Sequence, residues 1–263
     1  MDLGLRDRVA IVTGASRGIG RRIALDLAAE GCRLVLCARS EGPLSQVAAE
    51  IGAVGQQAAV VPIDVTSTDA PEEIVGRCRA TYGRLDILVN NAGGGTPKQL
   101  DRLTGADWRD GFEINVFAAA RLSVAAVSFM REAGWGRIVN VASTYGREPD
   151  PSFAVYGAAK AALINLSKSF ARAYSADGVL TNCVIPGVTL TELVEANAAG
   201  AAERTGATPA EVMADVMAKD PVAAGRFGRP EEVAAAVLFL VSEQAAWITG
   251  TALAVDGGTL RSI

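Results

Sequence analysis

None of the 263 residues is a histidine. That absence removes the usual zinc-ligand sets, the imidazole general base and any Ser-His-Asp triad. Acid–base chemistry in this chain has to come from Tyr, Lys, Ser, Asn, carboxylates or a bound cofactor. Cysteine is sparse. Cys32, Cys37, Cys78 and Cys183 are irregularly spaced with no C-x-x-C, which reads as small buried side chains in a reducing compartment. An excess of positive charge is missing too: 25 Lys and Arg against 29 Asp and Glu give a net charge of -4, so nucleic acid is not expected as a partner. The start, Met1 to Arg8, is too charged for a secretory signal. Long apolar runs are absent, and Val233–Val241, the most apolar block, falls well short of a span of about 18 residues. The expectation is a soluble, cytoplasmic protein with no membrane partner.

Half of the residues are hydrophobic and the mean hydropathy is +0.25, which favours fully buried parallel strands. Short apolar runs alternate with longer amphipathic ones, the pattern of repeated βα units. Strands are expected at Val9–Thr13, Arg33–Ala38, Ala58–Ile63, Ile87–Asn90, Arg137–Ala142, Thr181–Ile185 and Ala252–Val255. Between them, Ile19, Ile23 and Leu27 fall on one helical face, and Val116, Ala119, Ala120, Val124 and Val127 on another. Pro71 and Pro230, each followed by acidic residues, suit the first turns of helices. No composition shift marks a linker. The reading is a single doubly wound α/β domain over residues 1–263, with an Ala-rich insertion at about 189–229.

The first strand runs into Thr13-Gly14-Ala15-Ser16-Arg17-Gly18-Ile19-Gly20. Glycines there let the backbone turn tightly and approach a pyrophosphate, whose charge meets a helix N-terminus. Their spacing departs from G-x-G-x-x-G, and by itself the stretch also reads as a plain structural turn. Gly14, Ser16 and Gly18 spell the nucleophile-elbow pattern of hydrolases as well, but that chemistry needs a histidine. At the end of the second strand an NAD site wants an acid for the ribose 2′-hydroxyl. Here stand Ala38-Arg39-Ser40 instead, and Arg39 with Arg17 suits the 2′-phosphate of NADP, unless both are solvated surface arginines. Tyr156 and Lys160 lie four apart on one helical face. A nearby ammonium and an oxidised nicotinamide both favour a phenolate, so the Tyr156 pKa is expected to be lowered. Ser143, just past the fifth strand, can hold a carbonyl oxygen.

Thr13–Gly20, Asp64, Asn90–Gly93, Asn115, Ser143, Tyr156 with Lys160, and Pro186-Gly187 occur in the order and spacing of the short-chain dehydrogenase/reductase family, which the chain resembles from Leu5 to about Gly258. The resemblance implies a seven-stranded parallel Rossmann sheet, an NADP(H) cofactor and a homotetramer. It makes Tyr156 the proton donor or acceptor, Ser143 the carbonyl-oxygen partner, Lys160 the ribose ligand and Asn115 the support of a water-linked relay. It assigns cofactor contacts to Gly14, Ser16, Arg17, Gly18, Ile19, Gly20 and Arg39. Further contacts fall to Asp64 and Val65 on the adenine side and to Asn91, Ala92 and Gly93 along the adjoining wall. Pro186, Gly187, Val188 and Thr191 then flank the carboxamide. No metal is implied.

The tail, Gly225 to Glu232, Ile248 to Gly250 and Val255 to Gly258, resembles the 3-oxoacyl-[acyl-carrier-protein] reductase branch, so a 3-oxoacyl thioester is the first substrate expected. Cyclic ketones, polyols, steroids and secondary metabolites stay open, as does a non-catalytic NADP(H)-sensing protein. The 189–229 insertion reads as a hinged lid broken by Gly200, Gly206 and Pro209. Its Val212, Met213, Val216 and Met217 pack on the domain below or line the pocket. The apolar stretch Trp108–Glu132 and the strand Ala252–Val255 suggest subunit contacts.

Overall fold

In the computed structural model, residues 2–262 are described. The chain alternates β1 (Val9–Thr13), α1 (Gly18–Ala29), β2 (Arg33–Ala38), α2 (Glu41–Ala53), β3 (Ala58–Pro62), α3 (Ala70–Tyr82) and β4 (Ile87–Asn90). It continues through α4 (Gly105–Phe112), α5 (Ala118–Glu132), β5 (Gly136–Val141), α6 (Ala154–Tyr174) and β6 (Val179–Pro186). After β6 come α7 (Glu192–Thr205), α8 (Pro209–Lys219), α9 (Pro230–Val241) and β7 (Ala252–Val255). The strands form one seven-stranded parallel sheet in the order β3-β2-β1-β4-β5-β6-β7, a doubly wound Rossmann arrangement.

Strand side chains alternate between two apolar layers, as a period of two requires. Ala10, Val12, Leu34, Leu36 and Val139 pack with Ile23, Leu27, Leu44, Ile51 and Val237 of α1, α2 and α9. Val9, Ile11, Val35 and Cys37 pack with Ile74, Cys78, Leu122 and Met130 of α3 and α5. Each fully buried Leu or Ile contributes about 1.5–3 kcal/mol. Pro71 and Pro230 sit in the first turns of α3 and α9 as expected.

Some expectations are corrected. The sixth strand is longer than Thr181–Ile185, running from Val179 to Pro186, because all eight of its residues are buried between helices. Val124 leaves the buried face and is 60% exposed. A π turn over Glu113–Phe117 rotates the helix beyond it, so the inward stripe of α5 is Ala119, Leu122, Ser123, Ala126, Val127 and Met130. Gly200 does not break the insertion but lies inside α7; the break is at Gly206, whose φ of 74° is left-handed and closes that helix. The run Gly105–Glu132 is, by composition and length, apolar enough to cross a bilayer, with a window hydropathy of 1.4. In the fold it packs on α3 and α6, and its other side keeps Phe117 and Val124 in the open.

β1 and β4 are neighbours although α1 to α3 intervene, so the sheet switches direction between them. Loops at the carboxyl ends of these two strands open a crevice there, where open α/β sheets take ligands.

Candidate active site

Gly14 and Gly18, with φ of 65° and 56°, hold a conformation that other residues adopt only with strain. The turn they make is too compact for a side chain. A Cβ at Gly14 would lie 2.8 Å from Asn91 Nδ2, and one at Gly20 only 2.3 Å from the Gly14 carbonyl. Helix α1 starts here with no acidic residue in its first turn and no local side chain capping its amides. A glycine cradle against a helix N-terminus fits a pyrophosphate. Ser16 and Ile19 are half-buried beside it, and Arg17 stands exposed at its mouth.

At the tip of β2, Arg39 is exposed. Its guanidinium lies close enough to Asp64 to lower the acid's pKa, though the backbone N–H of Thr66 (2.9 Å) is the larger influence. Asp64 therefore stays ionised. The Val65 side chain turns into the core, which leaves its backbone for any adenine contact.

Opposite the glycine turn, the loop after β4 is anchored by a residue outside the expected set. The Thr13 hydroxyl accepts from the N–H groups of Asn91 and Ala92 (both 3.0 Å), while Asn91 Nδ2 donates to the Thr13 carbonyl. The signal for Thr13 is a buried polar side chain ending an otherwise apolar strand. Asn115, on the π turn, is 1% exposed. Its amide donates to the Gly94 and Gly111 carbonyls (2.8 and 2.9 Å) and its oxygen accepts from Gly94 N–H (3.0 Å). Asn115 thus fixes the loop. Gly93 must be glycine because a Cβ there would lie 2.7 Å from Asn115 Oδ1 and 3.0 Å from Lys160 Nζ. A Cβ at Gly95 would lie equally close to Tyr156, 2.8 Å from its Cγ.

Tyr156 and Lys160 stand on the first turns of α6, with Lys160 3% exposed. Ser143 closes the group from the end of β5, where its hydroxyl accepts from Tyr145 N–H (3.3 Å) and lies close enough to the Tyr156 phenol to influence its pKa. Burial raises the Tyr156 pKa, and the Ser143 hydroxyl only partly offsets it. The expected lowering is therefore not produced by the protein's own groups. Lys160 directs its ammonium at the Val141 carbonyl (2.8 Å), and burial pulls its own pKa down to about 8. On the far side, Gly187 packs against Asp256 after Pro186 ends β6, Val188 comes next, and Thr191 caps α7 and touches the Gly18 turn. Glu192 accepts from Gly18 N–H (3.0 Å).

The sequence profile for short chain dehydrogenases matches residues 8–202. The chain belongs to the short-chain dehydrogenase family. This oxidoreductase is 38% identical over 256 residues to the 3-oxoacyl-[acyl-carrier-protein] reductase of Escherichia coli (strain K12), covering 97% of this chain and 98% of the relative. It is 41% identical over 253 residues to the cis-4-hydroxycyclohexanecarboxylate dehydrogenase of Sinomonas cyclohexanicum, covering 96% of each. Among solved structures, L-sorbose reductase from Gluconobacter frateurii, complexed with NADPH and L-sorbose, matches this short-chain dehydrogenase over 100% of both chains with a TM-score of 0.96 and 34% identity.

Proposed function

We propose that this short-chain dehydrogenase is an NADP(H)-dependent carbonyl reductase of small ketones. The observation that carries the reading is the convergence of Ser143, Tyr156 and Lys160 at the carboxyl end of β5 and the first turns of α6, beside the glycine cradle of α1. In this reading Gly14, Ser16, Arg17, Gly18, Ile19 and Gly20 receive the pyrophosphate, with Arg39 and Arg17 on the 2′-phosphate. Asp64 and Val65 flank the adenine. Asn91, Ala92 and Gly93 form a wall, and Pro186, Gly187, Val188 and Thr191 border the nicotinamide. The bound cofactor supplies or accepts the hydride. Ser143 holds the carbonyl oxygen, and Tyr156 gives it a proton in reduction or takes one in oxidation. Lys160, with a pKa near 8, can hold the ribose and pass a proton onward. Asn115 keeps the loop beside it in place.

A 3-oxoacyl thioester, the substrate named for the Escherichia coli relative, is one candidate. A hydroxylated ketone is favoured by the polar Tyr145 and Asp220 beside the site (3.1 Å apart) and by the L-sorbose complex of the similar structure. The use of NADP(H) supports a cytoplasmic location, and the uncovered Phe117 and Val124 support a homotetramer.

The test is NADPH oxidation across ketones of graded size, including a 3-oxoacyl thioester. Turnover of a ketone with NADPH preferred over NADH, and preference reversed in Arg39→Asp, is expected. Cofactor binding with no turnover of any ketone would indicate a nucleotide sensor instead.

A further inference from the structure

The loop after Ser143 and the end of the insertion meet beside the catalytic tyrosine. Tyr145 stacks on Phe153 (ring centroids 5.1 Å) and stands edge-on to Tyr156 (6.4 Å, planes at 86°). Its N–H is spent on the Ser143 hydroxyl, so its place is tied to the group that meets a carbonyl oxygen. Its hydroxyl donates to Asp220 Oδ2 at 3.1 Å. Asp220 immediately follows α8 and is half-buried. The adjacent Lys219 makes its direct ion pair with Asp150 at 2.7 Å, and the Asp220 charge acts on it only at longer range. No ion pair among the described residues includes Asp220, and none of their hydrogen-bond donors reaches its Oδ1.

The free Asp220 Oδ1 stays open to solvent, so water satisfies it in the free enzyme and a ligand hydroxyl can take that water's place. A plain latch between loop and helix has no need of a charge there. Beside a carbonyl site, the donor that fits is a neutral hydroxyl, whereas an anionic substituent would be repelled.

We propose that Tyr145 and Asp220 form a specificity-determining pair that accepts a hydroxyl of the substrate close to its carbonyl, selecting uncharged hydroxyketones over unsubstituted and carboxylated ones. The proposal rests on the carbonyl-reductase reading and narrows its substrate class. Asp220 supplies the acceptor, and Tyr145 holds that carboxylate in position while its ring keeps water from the reacting side.

The experiment compares kcat/KM with NADPH for 2-hydroxycyclohexanone, 2-methylcyclohexanone and 2-oxocyclohexanecarboxylate, in the unmodified enzyme and in Asp220→Asn and Tyr145→Phe. The hydroxyketone should lead its methyl counterpart by about tenfold or more, the range of one hydrogen bond to a charged group. Both substitutions should shrink that ratio several-fold, mainly through KM, and Asp220→Asn should raise the relative rate on the carboxylate. An unchanged ratio with parallel losses on both ketones would reduce the pair to a latch and overturn the proposal. No turnover of any ketone, with NADPH still bound, would remove the reductase reading and this proposal together; an unchanged ratio removes this proposal alone.

Discussion

Replacing Tyr156 by Phe keeps the ring that rests on Gly95 and meets Tyr145, and deletes only the titrating hydroxyl. Cofactor binding should therefore survive in Tyr156→Phe while kcat falls by roughly 10² or more, the usual scale for a lost acid–base group. Stopped-flow NADPH binding beside steady-state turnover separates the two, and near-normal kcat would refute the assigned role. Much of this site was legible because its members keep fixed sequence spacings: Tyr156 with Lys160 on one helix, Gly14 to Gly20 in one turn. Asp220 was not legible. It is 75 residues from Tyr145, and only the return of α8 over the catalytic loop brings them together. The pKa of Tyr156 also escaped the sequence, since burial outweighs the charge that spacing suggested.

Helices α7 and α8 pack on each other and reach the rest of the chain through polar contacts at their ends. Glu192 bonds Gly18 N–H, Lys219 pairs with Asp150, and Asp220 takes the Tyr145 hydroxyl. None of the residues of α8 is fully buried, and exposed polar links contribute little each, so this pair should open before the sheet does. Hydrogen exchange over residues 190–218 should be fast in the free enzyme and slow when NADPH and a ketone are bound. Equal protection in both states would make the segment a fixed wall. At this scale the sequence served the strands better than the insertion. Alternating apolar runs located all seven strands, because a doubly wound sheet buries both faces and leaves a strong signal. Gly200 misled because glycine inside an Ala-rich helix costs only about 1 kcal/mol, which neighbouring residues offset.

Across the whole molecule, four buried thiols set the alkaline limit. Burial pushes Cys32, Cys37 and Cys78 from 9.0 up to about 12 and Cys183 to about 11. The folded chain thus keeps protons that the unfolded chain releases, so stability falls as pH rises from 9 to about 12. Lys160, shifted from 10.5 down to about 8, acts in the opposite sense but is outweighed by the thiols, and burial raises Tyr82, Tyr145 and Tyr156 in the same sense as those thiols. Melting temperature should drop across that window, and more shallowly in Cys78→Ala; a flat profile would contradict the burial of the thiols. The exposed Phe117, Val124 and edge residue Leu253 should be covered by other copies of the chain, so light scattering at micromolar concentration should give a tetramer mass, and a monomer would count against it. A last consequence concerns how the sheet assembles at all. Asn90 and Asn140 face each other across β4 and β5, and the first donates to the second (2.8 Å) while Asn140 donates to Ser167 and Asn90 to Ser123. A slip of one residue that set Asn90 against Val141 would set Asn140 against Val89, leaving both amides without their partners at about 1–3 kcal/mol apiece. Two side chains thereby penalise a misregistered β4–β5 pairing as it forms, an error check in the middle of a sheet whose apolar strands would otherwise pair almost as well in the wrong register.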